Sequence, residues 1–217
     1  MIDNYKKLSI RKYIELQEME LEGREEIDVQ VNILSILNDM TEDEICELPL
    51  DEYKKLVVAS SFLKTPPVPN DKIADTITIN KTKYNVIKNI KKLTAGQYID
   101  YQNYIKNKDL KMLPYILSVF IIPDGKKYGD NLENTIEDIY NLSIIDVLSL
   151  SAFFLRKWES LTKATLIYLI WKMKWMMKKE KNPMVKEQMK TAIQKLTMLR
   201  STLKSGDGLI TQLLLKK

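Results

Sequence analysis

The 217-residue chain predicts a mainly α fold, a helical bundle built from two related helical units with one small β-hairpin. Three observations carry that expectation. Glycine is scarce at six residues, while Leu, Lys, Glu and Met, all good helix formers, are plentiful alongside Ile. Apolar residues recur at helical spacing along most of the chain. A phrase also occurs twice: Lys7-Leu8-Ser9-Ile10-Arg11-Lys12-Tyr13-Ile14-Glu15-Leu16-Gln17 is matched by Lys92-Leu93-Thr94-Ala95-Gly96-Gln97-Tyr98-Ile99-Asp100-Tyr101-Gln102, a hydroxyl N-cap followed by one helical face. Further on, Ile33-Leu34-Ser35 recurs as Ile116-Leu117-Ser118. Glu44-Ile45 with Leu48, Leu50 and Glu52 recurs as Asp138-Ile139 with Leu142, Ile144 and Asp146. The spacing between copies is 85 residues at the first match, 83 at the second and 94 at the third, and the late increase places a loop insertion in the second copy at residues 123–130. A helical unit used twice points to a scaffold or binding surface rather than to an active site.

Taken in order, Ser9 caps a first helix over residues 9–22 whose inner side carries Ile10, Tyr13, Ile14 and Leu16-Gln17, ended by Glu22-Gly23-Arg24. Residues 29–40 repeat Val31, Ile33, Leu34, Ile36, Leu37 and Met40 at helical spacing, and Thr41-Glu42-Asp43-Glu44 opens another helix with a capping box. Pro49 suits the first turn of the next helix, which turns Leu56, Val57 and Phe62 inward. This first unit spans residues 1–64. Residues 65–91 form a linker and hairpin. Three prolines at 66, 67 and 69 favour extended chain, and the β-branched alternation of Thr76-Ile77-Thr78-Ile79 and Lys83-Tyr84-Asn85-Val86-Ile87 flanks a turn at Asn80-Lys81-Thr82. The second unit, residues 92–155, contains an apolar stretch at 113–122 expected to be a buried helix ending at Pro123, then a tight turn at Pro123-Asp124-Gly125-Lys126. Arg156-Lys157-Trp158 opens a carboxyl-terminal helical module, residues 156–217. A helix is expected there from Ser160 toward Lys181, broken at Asn182-Pro183, restarted over 185–204 and stopped by Ser205-Gly206-Asp207-Gly208.

Charge divides the chain unevenly. Residues 1–155 carry 25 acidic and 19 basic side chains, and residues 156–217 carry 15 basic and 4 acidic ones, so a cationic module follows an acidic body. Such a module serves nucleic acid, an anionic membrane surface, or an acidic surface on another copy of the chain. A lone cysteine, Cys46, and an amino terminus without an apolar run point to a reducing compartment.

The available chemistry is narrow. The chain has no histidine, which removes Ser-His-Asp and Cys-His catalysis and nearly all zinc sites. Cys46 lies in the acidic stretch Glu42-Asp43-Glu44-Ile45-Cys46-Glu47, which disfavours a reactive thiolate, and it reads as a small buried residue. Asp124, Asp130, Glu133, Glu137 and Asp138 lack EF-hand spacing and read as a solvated loop. No phosphate-cradling or dinucleotide motif is present, so the expectation is a non-enzyme without cofactor or metal. The sites to expect are contacts: Trp158, Leu166, Ile170, Trp171 and Trp175 as the apolar part of an interface, and Lys172, Lys178 and Lys179 as its cationic part. The apolar run at 164–171 is far shorter than the roughly 20 residues that cross a bilayer, so no transmembrane span is expected.

Several of these phrases, namely Asn32-Ile33-Leu34-Ser35-Ile36-Leu37 with Thr41-Glu42-Asp43-Glu44-Ile45, then Leu93-Thr94-Ala95-Gly96-Gln97-Tyr98-Ile99-Asp100, Ile121-Ile122-Pro123-Asp124-Gly125-Lys126-Lys127-Tyr128 and Phe153-Phe154-Leu155, resemble small proteins from the structural gene modules of tailed bacteriophages, particularly crAss-like and other phages of gut Bacteroidetes. The basic segment after Arg156 lies outside the resemblance. It implies a tail-associated or internally carried virion protein, or a tail assembly chaperone, found in the virion and, during assembly, in the host cytoplasm. Its partners would be phage structural proteins or further copies of itself in a homo-oligomer. A reading of another class is an ejected virion protein that binds membrane or DNA through the basic carboxyl-terminal helix.

Overall fold

The computed structural model describes residues 1–20, 23–107 and 109–202, apart from the side chains at positions 158, 159, 161 and 202. Among these residues the chain is mainly α, with nine α-helices and one small antiparallel sheet. It divides into two compact units, Met1–Ser151 and Ala152–Lys217. The expected stop at Ser205-Gly206-Asp207-Gly208 lies outside the described residues.

The first unit opens with α1 (Ile10–Glu18), capped by the Ser9 hydroxyl, which accepts from the Lys12 N–H. Ile10, Tyr13 and Ile14 are buried, as the helical spacing requires. Then come α2 (Glu26–Asn38), α3 (Glu42–Cys46) and α4 (Leu50–Ala59). Thr41 and Glu44 form the expected reciprocal capping box, and Pro49 sits at the N-cap of α4. Leu56, Val57 and Phe62 are only half-buried, because no residue of α4 reaches the core. Strands β1 (Thr76–Ile79) and β2 (Thr82–Val86) make the expected hairpin. Both turn residues, Asn80 (φ 48°) and Lys81 (φ 69°), are left-handed, the requirement of a turn whose twist matches the strands.

The expected helix over 113–122 is corrected by the structure. After α5 (Ala95–Tyr104), α6 is confined to Leu113–Ser118, and Ile121–Pro123 forms β3, paired antiparallel with β2 so that Tyr84 faces Pro123 and Val86 faces Ile121. A two-stranded hairpin is marginal by itself, and a third strand made from the most apolar segment of the second copy completes it. Pro123, lacking an N–H, sits on the edge strand where a proline is tolerated. The Pro123-Asp124-Gly125-Lys126 turn follows, with Gly125 at φ +73° and the Lys126 N–H donating to the Pro123 carbonyl at 3.1 Å. The sheet docks on α7 (Leu132–Tyr140) through Asp138, which accepts from the Tyr84 hydroxyl and, at 2.9 Å, from Asn80 Nδ2. Asp124 accepts from Asn85, Asp130 from the Lys127 N–H, and Glu137 pairs with Arg11. Asp124, Asp130, Glu133 and Glu137 are exposed, as a solvated loop requires, and all but Glu133 accept from neighbours at the same time, with Asp138 half-buried.

The two halves of this unit share local solutions and differ in one face. Thr94 and Gln97 form a capping box, and Gln97 Nε2, fully buried, donates to the Val119 carbonyl at 2.6 Å at the end of α6. At the matching position Lys12 Nζ donates to the Leu37 carbonyl at 3.1 Å near the end of α2. Leu34 and Leu117 are both fully buried, as are Ile45 and Ile139. In both halves the second helix packs on the first and on the third. Yet Tyr13 and Ile14 are buried, whereas Tyr98 and Ile99 are exposed and α5 turns Gln97 and Tyr101 inward instead. The repeated phrase therefore encodes a cap and a side-chain reach, not one common buried face.

The halves join through two Leu-Ser-Ile segments. The Ile10 N–H donates to the Leu142 carbonyl at 2.9 Å and the Ile144 N–H to the Leu8 carbonyl at 2.8 Å, with Ser9 opposite Ser143. All four flanking side chains, Leu8, Ile10, Leu142 and Ile144, are buried. Arg11 covers this join from outside, its guanidinium 4.8 Å from the centre of the Tyr140 ring.

Two predictions follow from these local features. Replacing Lys81 by glycine removes the roughly 1–2 kcal/mol that a left-handed non-glycine residue costs, offset by glycine's entropy cost of roughly 0.5–1 kcal/mol. Lys81→Gly should therefore raise stability by about 0.5–1 kcal/mol in chemical denaturation. The second concerns pH. Burial pushes the Tyr5 hydroxyl up to about 12, with Tyr13 adding to the shift. Burial also raises Tyr84, Tyr101 and Tyr128, and Tyr84 and Tyr128 further keep their protons by donating to Asp138 and Asp100. Unfolded tyrosines titrate near 10, so above that pH the unfolded chain loses protons that the folded one keeps. Stability contributed by these groups is intact below about pH 10 and should fall as pH rises beyond it. The part of the tyrosinate absorbance that comes from these rings should then appear together with loss of helical circular dichroism; all eleven tyrosines ionising in a still-folded chain would contradict this.

Candidate interaction surface

A helix of 36 residues, α8 (Ile144–Lys179), carries the predicted contact residues. The Ser143 hydroxyl starts it by accepting from the Asp146 N–H at 3.1 Å, and no glycine or proline interrupts the sequence up to Lys179. The expected separation between residue 155 and a new helix at Ser160 is therefore absent: Arg156 and Lys157 are good helix formers and give no reason to stop. Glu180 accepts from the N–H groups of Lys181 and Asn182, and Asn182 caps α9 (Pro183–Thr202), with Pro183 in the first turn. The proline that ends one helix thus begins the next.

In the second unit the side chains of α8 fall on two opposed apolar faces. Leu166 and Ile170 are buried, and Met173 and Met177 are half-buried, a spacing of four, three and four residues that keeps one seam turned inward. On α9, Val185, Met189, Ala192 and Leu196 are half-buried at the same spacing. Tyr168, Trp171 and Trp175 lie roughly 180° around α8 from its seam, at 3.6 residues per turn. They are exposed at 56%, 62% and 49%, with Ile167 exposed beside them. The residues expected from sequence to form one apolar contact thus lie on two faces: Trp171 and Trp175 stand on the outer one, Leu166 and Ile170 on the buried one. The side chain of Trp158 lies outside the described residues.

Lysines border the outer stripe. Lys179 Nζ sits 3.7 Å from the centre of the Trp175 ring and Lys172 Nζ 6.0 Å from that of Tyr168, while Lys178 is exposed on the other flank. Tyr168 and Trp171 lean on each other with ring centres 6.4 Å apart. These contacts hold the aromatic rings and the ammonium groups in one row. Exposed tryptophan and tyrosine framed by cations is the composition of an interface centre, in which rigid rings contribute area at small entropic cost. Among the described residues, no helix is long and apolar enough to cross a membrane.

A second charged surface went unread in the sequence although its signal was plain. Residues 25–53 hold ten acidic side chains and not one lysine or arginine. All ten are exposed, on or beside α2, α3 and α4, which pack on one another. Ile27 and Leu50 are exposed among them at 52% and 65%, and Val58, at 71%, is exposed further along α4 beside Lys54 and Lys55. Cys46 stands in this region and is exposed rather than buried, because Ile45 is the residue that α3 turns into the core. Among the described residues, no group of three or more acidic or cysteine side chains is arranged to hold a metal ion. Compared with protein-family models, with curated proteins and with solved structures, the chain has no match.

Proposed function

We propose that the chain is a non-catalytic structural or assembly protein of a tailed phage, tail-associated or carried inside the virion, and that it works through protein–protein contacts made by α8. The observation that supports this reading most is the exposed row of Tyr168, Trp171 and Trp175, a costly arrangement for a surface without a partner. The lack of histidine and the structural use of the loop carboxylates leave little material for catalysis. The phage setting comes from the sequence resemblance. Its direct test is mass spectrometry of purified virions of a phage that encodes the chain, which should find it as a particle component or, for an assembly factor, in assembly intermediates from infected cells.

The lysines beside the tryptophans favour one other reading, an ejected protein that lays α8 on anionic lipid or on DNA. Binding to anionic vesicles, or steeply salt-dependent DNA binding, would support it. On the first reading neither occurs, and Trp171→Ala and Trp175→Ala, whose rings are outside the core, should leave circular dichroism unchanged. Each should cost about 2 kcal/mol or more of assembly free energy, seen by sedimentation or by incorporation into particles. Folded variants that assemble as well as the parent would return these tryptophans to surface ornament.

A further inference from the structure

We propose that the aromatic and cationic stripe of α8 docks on the acidic α2–α4 surface of a second copy of this chain, so that copies associate head to tail. This deepens the reading above by naming the partner, and rests on it only for its biological setting. The argument is complementarity in both charge and apolar surface. Residues 156–202 carry twelve basic and three acidic side chains, against ten acidic and two basic ones, Lys54 and Lys55, over residues 25–59 that span α2 to α4. Each surface also exposes apolar side chains amid its charges: Tyr168, Trp171 and Trp175 on one, Ile27, Leu50 and Val58 on the other. Apolar contact supplies affinity while opposite charge sets encounter rate and register, and two surfaces of like sign would repel. Nucleic acid or anionic lipid would satisfy the lysines but would leave the acidic surface repelled and its apolar residues uncovered. A second copy satisfies both. Because the two surfaces differ, the contact is heterologous, and a docked pair still presents one free surface of each kind.

The test uses the full chain in sedimentation velocity at several concentrations. The parent should self-associate, and raising salt from about 0.1 M to about 1 M, where the Debye length falls from about 10 Å to about 3 Å, should weaken that association at least tenfold. A stripe variant, Trp171→Ala with Trp175→Ala, and an acidic-surface variant, Glu47→Lys with Asp51→Lys, should each associate about 30-fold more weakly than the parent, with circular dichroism confirming that both are folded. Mixing the two variants is the decisive measurement. Each retains the surface the other lacks, so the mixture should form one-to-one dimers that grow no further. A folded parent that stays monomeric at every concentration and salt, or a variant mixture without dimers, overturns the proposal, and so does a stripe that binds anionic vesicles or DNA while copies ignore one another. Virion proteomics separates the two readings: self-association by a chain missing from particles and assembly intermediates leaves this contact standing without the phage role, and a monomer found in virions does the reverse.

Discussion

Two Leu-Ser-Ile segments, one ahead of α1 and one ahead of α8, hydrogen-bond to each other through their own backbones, and the rest of the first unit is organised around that join. Each serine caps a helix, so the same three residues start a helix, pair with a distant segment and place two aliphatic side chains in the core. Backbone groups at a helix start are short of partners, and burying them without replacements would cost about 1–3 kcal/mol each. Reciprocal pairing meets that requirement in a dry place. With the join fixed, α1 lies against α7, Arg11 reaches Glu137 and the Tyr140 face, and Asp138 on the same helix holds the sheet. The core around Leu34, Ile45, Leu117 and Ile139 then fills from both halves.

Local chemistry was the legible part of the sequence. Ser9, Thr41 and Thr94 announce helix starts because a hydroxyl ahead of a helical apolar pattern accepts the N3 N–H, and at Thr41 and Thr94 a Glu or Gln at N3 completes a capping box. The alternation of Thr76–Ile79 and the Asn80-Lys81 turn gave the hairpin for the same reason. What escaped is non-local. The apolar stretch at 113–122 satisfies helix and buried strand equally well, and only the unpaired edge of β2, far away in sequence, decides that Ile121–Pro123 is a strand. Tyr98-Ile99 copies Tyr13-Ile14 in letters but not in environment, since burial depends on which neighbours the helix meets.

The contact surface divides along the same line. That α8 carried exposed aromatics and lysines could be read from spacing; which of its apolar residues faced outward could not, because a helix with apolar residues on opposite sides gives no clue to the side its own unit covers. Trp171 and Trp175 stand exposed on the outer face, whereas Leu166 and Ile170, equally apolar in the sequence, fill the seam. The acidic run at 25–53 needed only a count of the missing basic residues, but averaging charge over the first 155 positions diluted it with lysines from elsewhere.

The Leu8–Leu142 pairing also orders the birth of the molecule. Residues 8–10 leave the ribosome long before residues 142–144 are made, and at about 5–20 residues per second the wait is on the order of ten seconds. Through that interval Ile10, Tyr13 and Ile14 lack the cover that residues 142–144 bring, and α2, which packs on α1, is the part of their surroundings made early. The cationic segment appears only after the join can close. A chain synthesised in this order brings out its cationic segment when the apolar side chains around the join have already been covered.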